Sequence, residues 1–333
     1  MKIKMRKALK LSIALFVSLL ILSMPNALYA DDFPSKPITV VVPWKAGTLP
    51  DIILRTASKE AEKDLGVPIV VTNIPGGTST KGTTFVRNAP ADGYTVLDFW
   101  VAGVIGRLMN PEVGYEVSDF EAIGGYFFNP FMIMVSANHP ANNLQEFVEW
   151  AGKQDKNLNV GVCGAGSVAR MSMEQFLSVA NISNYNPVPF GGCNVDNHKG
   201  VLDGSLDVTT ASMGGPNTFG NKVKVLATLT GQRIATLPDV PTSAEAGYPL
   251  GWNQRTSLGW GGLAVRSGTP EERIKILRDA FSKVLASDAF VEKIKTEKKS
   301  TVTWLSPEEF KQLWSDSEKE LTPIISSVMA KGK

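Results

Sequence analysis

Short β-branched runs recur along the chain, each followed by a turn rich in Gly, Pro or Thr and then by apolar residues at helical spacing. Ile38 to Val42 precedes Pro43-Trp44-Lys45-Ala46-Gly47-Thr48, after which Ile52, Ile53, Thr56, Ala57 and Ala61 keep one face. Ile69 to Val71 precedes Asn73-Ile74-Pro75-Gly76-Gly77-Thr78-Ser79 and a second helical pattern. Tyr94 to Leu97, Met132 to Val135, Asn159 to Val162, Val188, Val208, Val225 to Leu229 and Leu258 to Val265 read as further strands. Alternation of this kind predicts an α/β fold with largely parallel sheets. Thr269-Pro270-Glu271-Glu272 and Ser306-Pro307-Glu308-Glu309 read as capping boxes with proline at the first helical position. The first leads into an apolar stripe of Ile274, Leu277, Phe281 and Val284, and Trp314 in the last helix reads as core.

The 333 residues, 43% apolar and 20% charged, are enough for about two globular domains. The net charge of +2 misleads. Lys2, Lys4, Arg6, Lys7 and Lys10 stand at the start, all 32 acids follow residue 30, and the remainder is mildly acidic. That balance argues against nucleic-acid binding. The basic start, the apolar run Leu11 to Leu22 and the short end at Ala30 are the layout of a signal peptide, residues 1–30, too short to span a bilayer. The two histidines, His139 and His198, and the two cysteines, Cys163 and Cys193, are not at metal-ligand spacing, so neither a metal nor a cofactor is expected.

Gly164-Ala165-Gly166-Ser167-Val168-Ala169 matches a dinucleotide fingerprint, but no Asp or Glu lies between Glu174 and Asp196 to hold a ribose. Ser167 is not in a nucleophile elbow. What survives is local physics: Gly-rich turns at Gly47, Gly76 and Gly164, and a fourth loop at Gly191-Gly192, offer backbone amides at helix starts, which suits small anions.

The chain resembles the substrate-binding proteins of tripartite tricarboxylate transporters, the Bug family. The motifs that carry the resemblance are Lys36-Pro37-Ile38-Thr39-Val40-Val41-Val42-Pro43, the loop Ala46 to Asp51, Leu65-Gly66-Val67-Pro68, Asn73, Pro75-Gly76 and Pro90-Ala91-Asp92-Gly93-Tyr94-Thr95. Gly164 to Ser167, Val188-Pro189-Phe190-Gly191-Gly192, Leu237 to Thr242, Glu245 to Tyr248 and Gly268-Thr269-Pro270 continue it. The resemblance implies a two-lobed periplasmic binding fold with two strand crossovers at a hinge, lobe one being residues 31–130 plus 252–333 and lobe two 131–251. It implies a non-enzymatic receptor, expected as a monomer in the periplasm, that hands a small carboxylate to a membrane permease. The ligand residues it suggests are Trp44, Gly47, Thr48, Asp51, Gly76, Gly77, Thr78, Ser79, Gly166, Ser167, Arg170, Phe190, Gly191 and Gly192. Thr48, Thr78, Ser79 and Arg170 depart from the family pattern, and the hydroxyls are expected as extra donors. Loops placed side by side would let Cys163 and Cys193 form a disulfide. Two other readings remain open: a secreted α/β hydrolase using Ser167, and a ligand-responsive partner of a sensor.

Overall fold

A computed structural model of the chain describes residues 32–164, 167–190, 195–234, 236–250, 259–298, 300 and 302–331. Residues 36–333 belong to one compact unit and residues 1–35 to another, and the expected signal peptide, residues 1–30, lies outside the described residues.

The first half alternates as expected: β1 (Ile38–Val42), α1 (Leu49–Leu65), β2 (Ile69–Asn73), α2 (Thr80–Asn88), β3 (Thr95–Trp100) and α3 (Val101–Met109). Then β4 (Phe120–Asn129) and β5 (Phe131–Ser136) follow with only Pro130 between them. The second sheet's segment continues with α4 (Leu144–Ala151), β6 (Leu158–Val162), α5 (Val168–Val179), β7 (Tyr185–Pro189), α6 (Val195–Asp203), β8 (Val208–Ser212), α7 (Gly214–Phe219) and β9 (Val223–Thr228). The chain closes with β10 (Gly259–Arg266), α8 (Glu271–Leu285), α9 (Asp288–Lys298), β11 (Val302–Leu305) and α10 (Pro307–Lys331).

Among the described residues these strands form two sheets, ordered β11-β4-β10-β3-β1-β2 and β7-β6-β8-β5-β9. The chain therefore passes from one sheet to the other at Pro130 and returns between β9 and β10. The expectation of largely parallel sheets needs correcting. Only β1–β2, β1–β3, β6–β7 and β6–β8 are parallel, while β10 runs antiparallel to both β3 and β4, β11 to β4, and β5 to both β8 and β9. Parallel neighbours require a crossover helix, whereas β5 and β10, arriving from the other sheet, are free of that constraint.

Glycines on β4 and β10 let large rings lie on the sheet. A Cβ at Gly124 would strike Trp304, one at Gly261 the Trp100 ring, and one at Gly262 the Phe310 ring. Trp260, Trp314, Phe99, Phe281 and Phe310 are buried there, each contributing roughly 1.5–3 kcal/mol by leaving water. The stripe Ile274, Leu277, Phe281 and Val284 is buried as read.

The two proline-led helix starts differ from one another. Ser306 and Glu309 form the reciprocal box, each side chain accepting the other's backbone N–H. At α8 the N-cap is Pro270, no side chain caps it, and the Thr269 hydroxyl donates to Arg266 O instead. The sequence box is present there, but the helix begins one residue too late to use it.

Candidate functional site

The order β3-β1-β2 places three βα junctions side by side, since all three strands run in the same direction. At the first, Gly47 takes φ +82° and Asp51, only 2% exposed, folds back to accept the Gly47 N–H at 2.8 Å. Its other oxygen accepts Arg55 Nε at 3.0 Å and Asn73 Nδ2 at 2.8 Å. Asn73 also donates to Trp44 O and accepts from the Arg55 guanidinium. Burial alone would raise the Asp51 pKa, yet donation from Arg55, Gly47 and Asn73 outweighs it and holds the carboxyl below its usual value. Asp51 is thus an anionic latch on the loop, with its oxygens committed to protein donors. The Thr48 hydroxyl is committed too: it donates to Lys45 O at 2.8 Å and leaves the start of α1 without a side-chain cap.

The second junction is held by backbone conformation. Gly76 and Gly77 have φ +129° and +59°, and Thr78 and Ser79 follow at +55° and +75°, so two non-glycine residues sit in the left-handed region. A β-branched residue there is strained by about 1–3 kcal/mol. Gly76, Gly77 and Thr78 are exposed, whereas Ser79 is buried with its hydroxyl 3.4 Å from Thr83 Oγ1. The Ser79 side chain therefore faces the protein. Ser79 does not cap α2.

At the third junction β3 runs straight into α3, with Trp100 as the N-cap residue and no side-chain cap. Trp100 meets Trp44 edge-on, with ring centroids 5.5 Å apart at 88°. The Nε1 atoms of both indoles are buried and make no hydrogen bond. A side chain at Gly103 or Gly106 of α3 would press on Ser79, Thr83 and Thr80, so α2 and α3 start close together. The result is three adjacent helix N-termini without a side-chain cap; at α2 the Thr80 and Lys81 N–H groups donate back to Gly77 O and Gly76 O, so the open amides there are those of the turn itself. Their dipoles add partial positive charge, favourable for an anion by about 0.3–1 kcal/mol each.

The second sheet is built differently. Ser167 caps α5, its hydroxyl accepting the Arg170 N–H at 3.2 Å. Arg170 Nε donates to Glu174 at 2.7 Å, one turn further from the helix start. Phe190 packs partly buried on the cluster of Met132, Met134, Val201 and Leu206. Cys163, at the end of β6, is buried and disulfide-bonded. Gly166, Gly191, Gly192 and Cys193 lie outside the described residues. No helix among the described residues is long and apolar enough to cross a membrane, and no group of His, Cys, Asp or Glu among them could hold a metal ion.

The sequence reading missed Asn73 and Arg55 as partners of the latch, and it missed Trp100. The signal for Asn73 was a polar residue ending an apolar strand; Trp100 had no turn residue beside it to mark a helix start.

Comparison with known proteins decides the family: the description "Tripartite tricarboxylate transporter family receptor" matches residues 53–329. The chain belongs to that family. A UPF0065 protein from the tcbD-tcbE intergenic region of Pseudomonas sp. (strain P51) is 28% identical over 277 residues, 82% of this chain and 81% of that protein. Among solved structures, a TctC solute-binding protein from Polaromonas is 26% identical with TM-score 0.74, covering 89% of this chain and 99% of that one. MatC from Rhodopseudomonas palustris, with bound malate, is 25% identical with TM-score 0.70, covering 88% and 100%. The receptor is accordingly α/β and two-lobed, of the periplasmic binding-protein fold, and it is a solute-binding protein, not an enzyme.

Proposed function

We propose that this receptor captures a small carboxylate, a di- or tricarboxylate, acidic amino acid or aromatic acid, between lobes of residues 31–130 plus 252–333 and 131–251. The observation that carries the reading is the trio of helix starts without a side-chain cap at the ends of β3, β1 and β2. Amide donors fixed by the Asp51 latch and the left-handed turn need little reorganisation to receive a carboxylate. MatC, with its malate, supports the ligand class. A ligand that touches both lobes stabilises the closed state by its differential affinity. On this reading residues 1–30 are removed on export, the mature chain is a periplasmic monomer, Cys163 bonds Cys193, and the loaded receptor docks on membrane permease subunits.

The test is a thermal-shift series on purified residues 31–333 with malate, succinate, citrate and benzoate. A ligand at 100 times its Kd adds about 2.7 kcal/mol, which should raise Tm by roughly 3–6 °C for a chain of this size. No shift with any of the four, together with none for glutamate or aspartate, overturns the reading.

A further inference from the structure

Asp98 stands in the middle of β3 with no solvent exposure. Its Oδ1 accepts the Tyr126 hydroxyl at 3.0 Å, while Oδ2 has no hydrogen-bond partner. Trp100, two residues on and therefore on the same face, turns its indole to the carboxyl without reaching normal hydrogen-bond geometry. That indole packs on Trp44 of the first loop and on Phe127 of β4, in the space that Gly261 leaves open. A carboxyl buried in a sheet with one oxygen unpaired is costly, and packing alone gives no reason for it.

We propose that Asp98, buried on β3 two residues before the N-cap of α3 with one oxygen unpaired, is neutral while the carboxylate site is filled and weakens ligand capture by its charge once it ionises. The proposal rests on the carboxylate-receptor reading. Total burial pushes the Asp98 carboxyl up to about 8, with the Trp100 indole and the Tyr126 hydroxyl pulling the other way and the Asp51 anion adding repulsion. The groups facing it are few. From α1 comes Asp51, compensated by Arg55; from β4 comes Tyr126, itself pushed further up by burial and by Asp98. Strand β10 opposes it with Leu263, and β1 offers Val40 to Val42. Both histidines belong to the other sheet's segment and are pushed down by burial, His198 to about 4. Ionisation of Asp98 places a second negative charge beside Asp51, next to the amides that would receive a carboxylate, so an incoming anion and an ionised Asp98 oppose each other. Binding then drives proton uptake around pH 8. Because the folded value exceeds the ordinary one, ligand-free stability should also decline as pH rises from about 4 to about 8.

The experiment is calorimetric titration of malate, succinate and benzoate, all fully ionised above pH 7, and of citrate above pH 8, into wild type and Asp98→Asn up to pH 9.5, with proton uptake measured in two buffers. Wild-type affinity should weaken about tenfold over that range, equivalent to a one-unit shift of a linked pKa. Asp98→Asn should hold the wild-type pH 7 affinity throughout and show no uptake near pH 8. A flat wild-type profile without proton uptake overturns the proposal alone, as does an Asp98→Asn variant that keeps the wild-type slope or is weakened equally at every pH. The wild-type uptake decides the matter even where the variant does not fold. Absence of binding at every pH for these four, and for glutamate and aspartate as well, overturns the receptor reading, and the proposal with it.

Discussion

The first and second loops do the same job by opposite means. Both end a parallel strand and open an uncapped helix, yet Pro43 to Thr48 is tied by side chains through Asp51, Asn73 and Arg55, while Ile74 to Ser79 is tied by a left-handed backbone turn. A side-chain latch is satisfied and titratable; a backbone turn is strained and indifferent to pH. The pair of loops therefore has one support that chemistry can release and one that only sequence can relax.

The largest way to break the comparison is Asp51→Ala. It strands the Gly47 N–H, Asn73 and Arg55 together, and urea denaturation should show a loss of about 3 kcal/mol, with any carboxylate-induced thermal shift abolished. The depressed pKa sets the sign of the wild-type pH response. The stabilisation is complete above the ordinary Asp value and is lost as pH falls through the lower folded value. Acid should thus speed hydrogen exchange at Gly47 relative to its intrinsic rate and leave Gly77 and Thr78 unaffected, because the second loop carries no titratable side chain. Equal protection at Gly47 in wild type and variant would show that the latch holds nothing.

Thr78→Gly is the smaller, opposite test. Relief of a β-branched side chain at φ +55°, set against the greater chain entropy of glycine, should stabilise the protein by about 1 kcal/mol. A loss of stability would mean that the turn is not strained.

Much of this contrast was legible in the sequence, and the part that was not has a physical cause. The strands β1 and β2 and the stripe on α8 follow from local periodicity, which packing then reinforces. Strand β4 was overlooked because Gly124-Gly125 reads as a turn, although those glycines serve close ring contacts. The antiparallel insertion of β10 depends on which sheet a strand joins, a non-local fact. Asp51 stood out beside Gly47, but residue type alone does not distinguish a ligand contact from a latch; that required the positions of Asn73 and Arg55. Asp98 and Trp100 escaped because the strand was read as ending at Leu97, three residues before β3 stops.

The most direct measurement of the central claim is an amide NMR titration of residues 31–333 with whichever of malate, succinate, citrate or benzoate gives the largest thermal shift. The strongest perturbations should fall together at the three junctions, on the first-turn amides Leu49, Asp51, Val101 and Ala102 and on the turn amides Thr78 and Ser79. Saturable perturbations confined to other surfaces, with these amides unmoved, would contradict the claim.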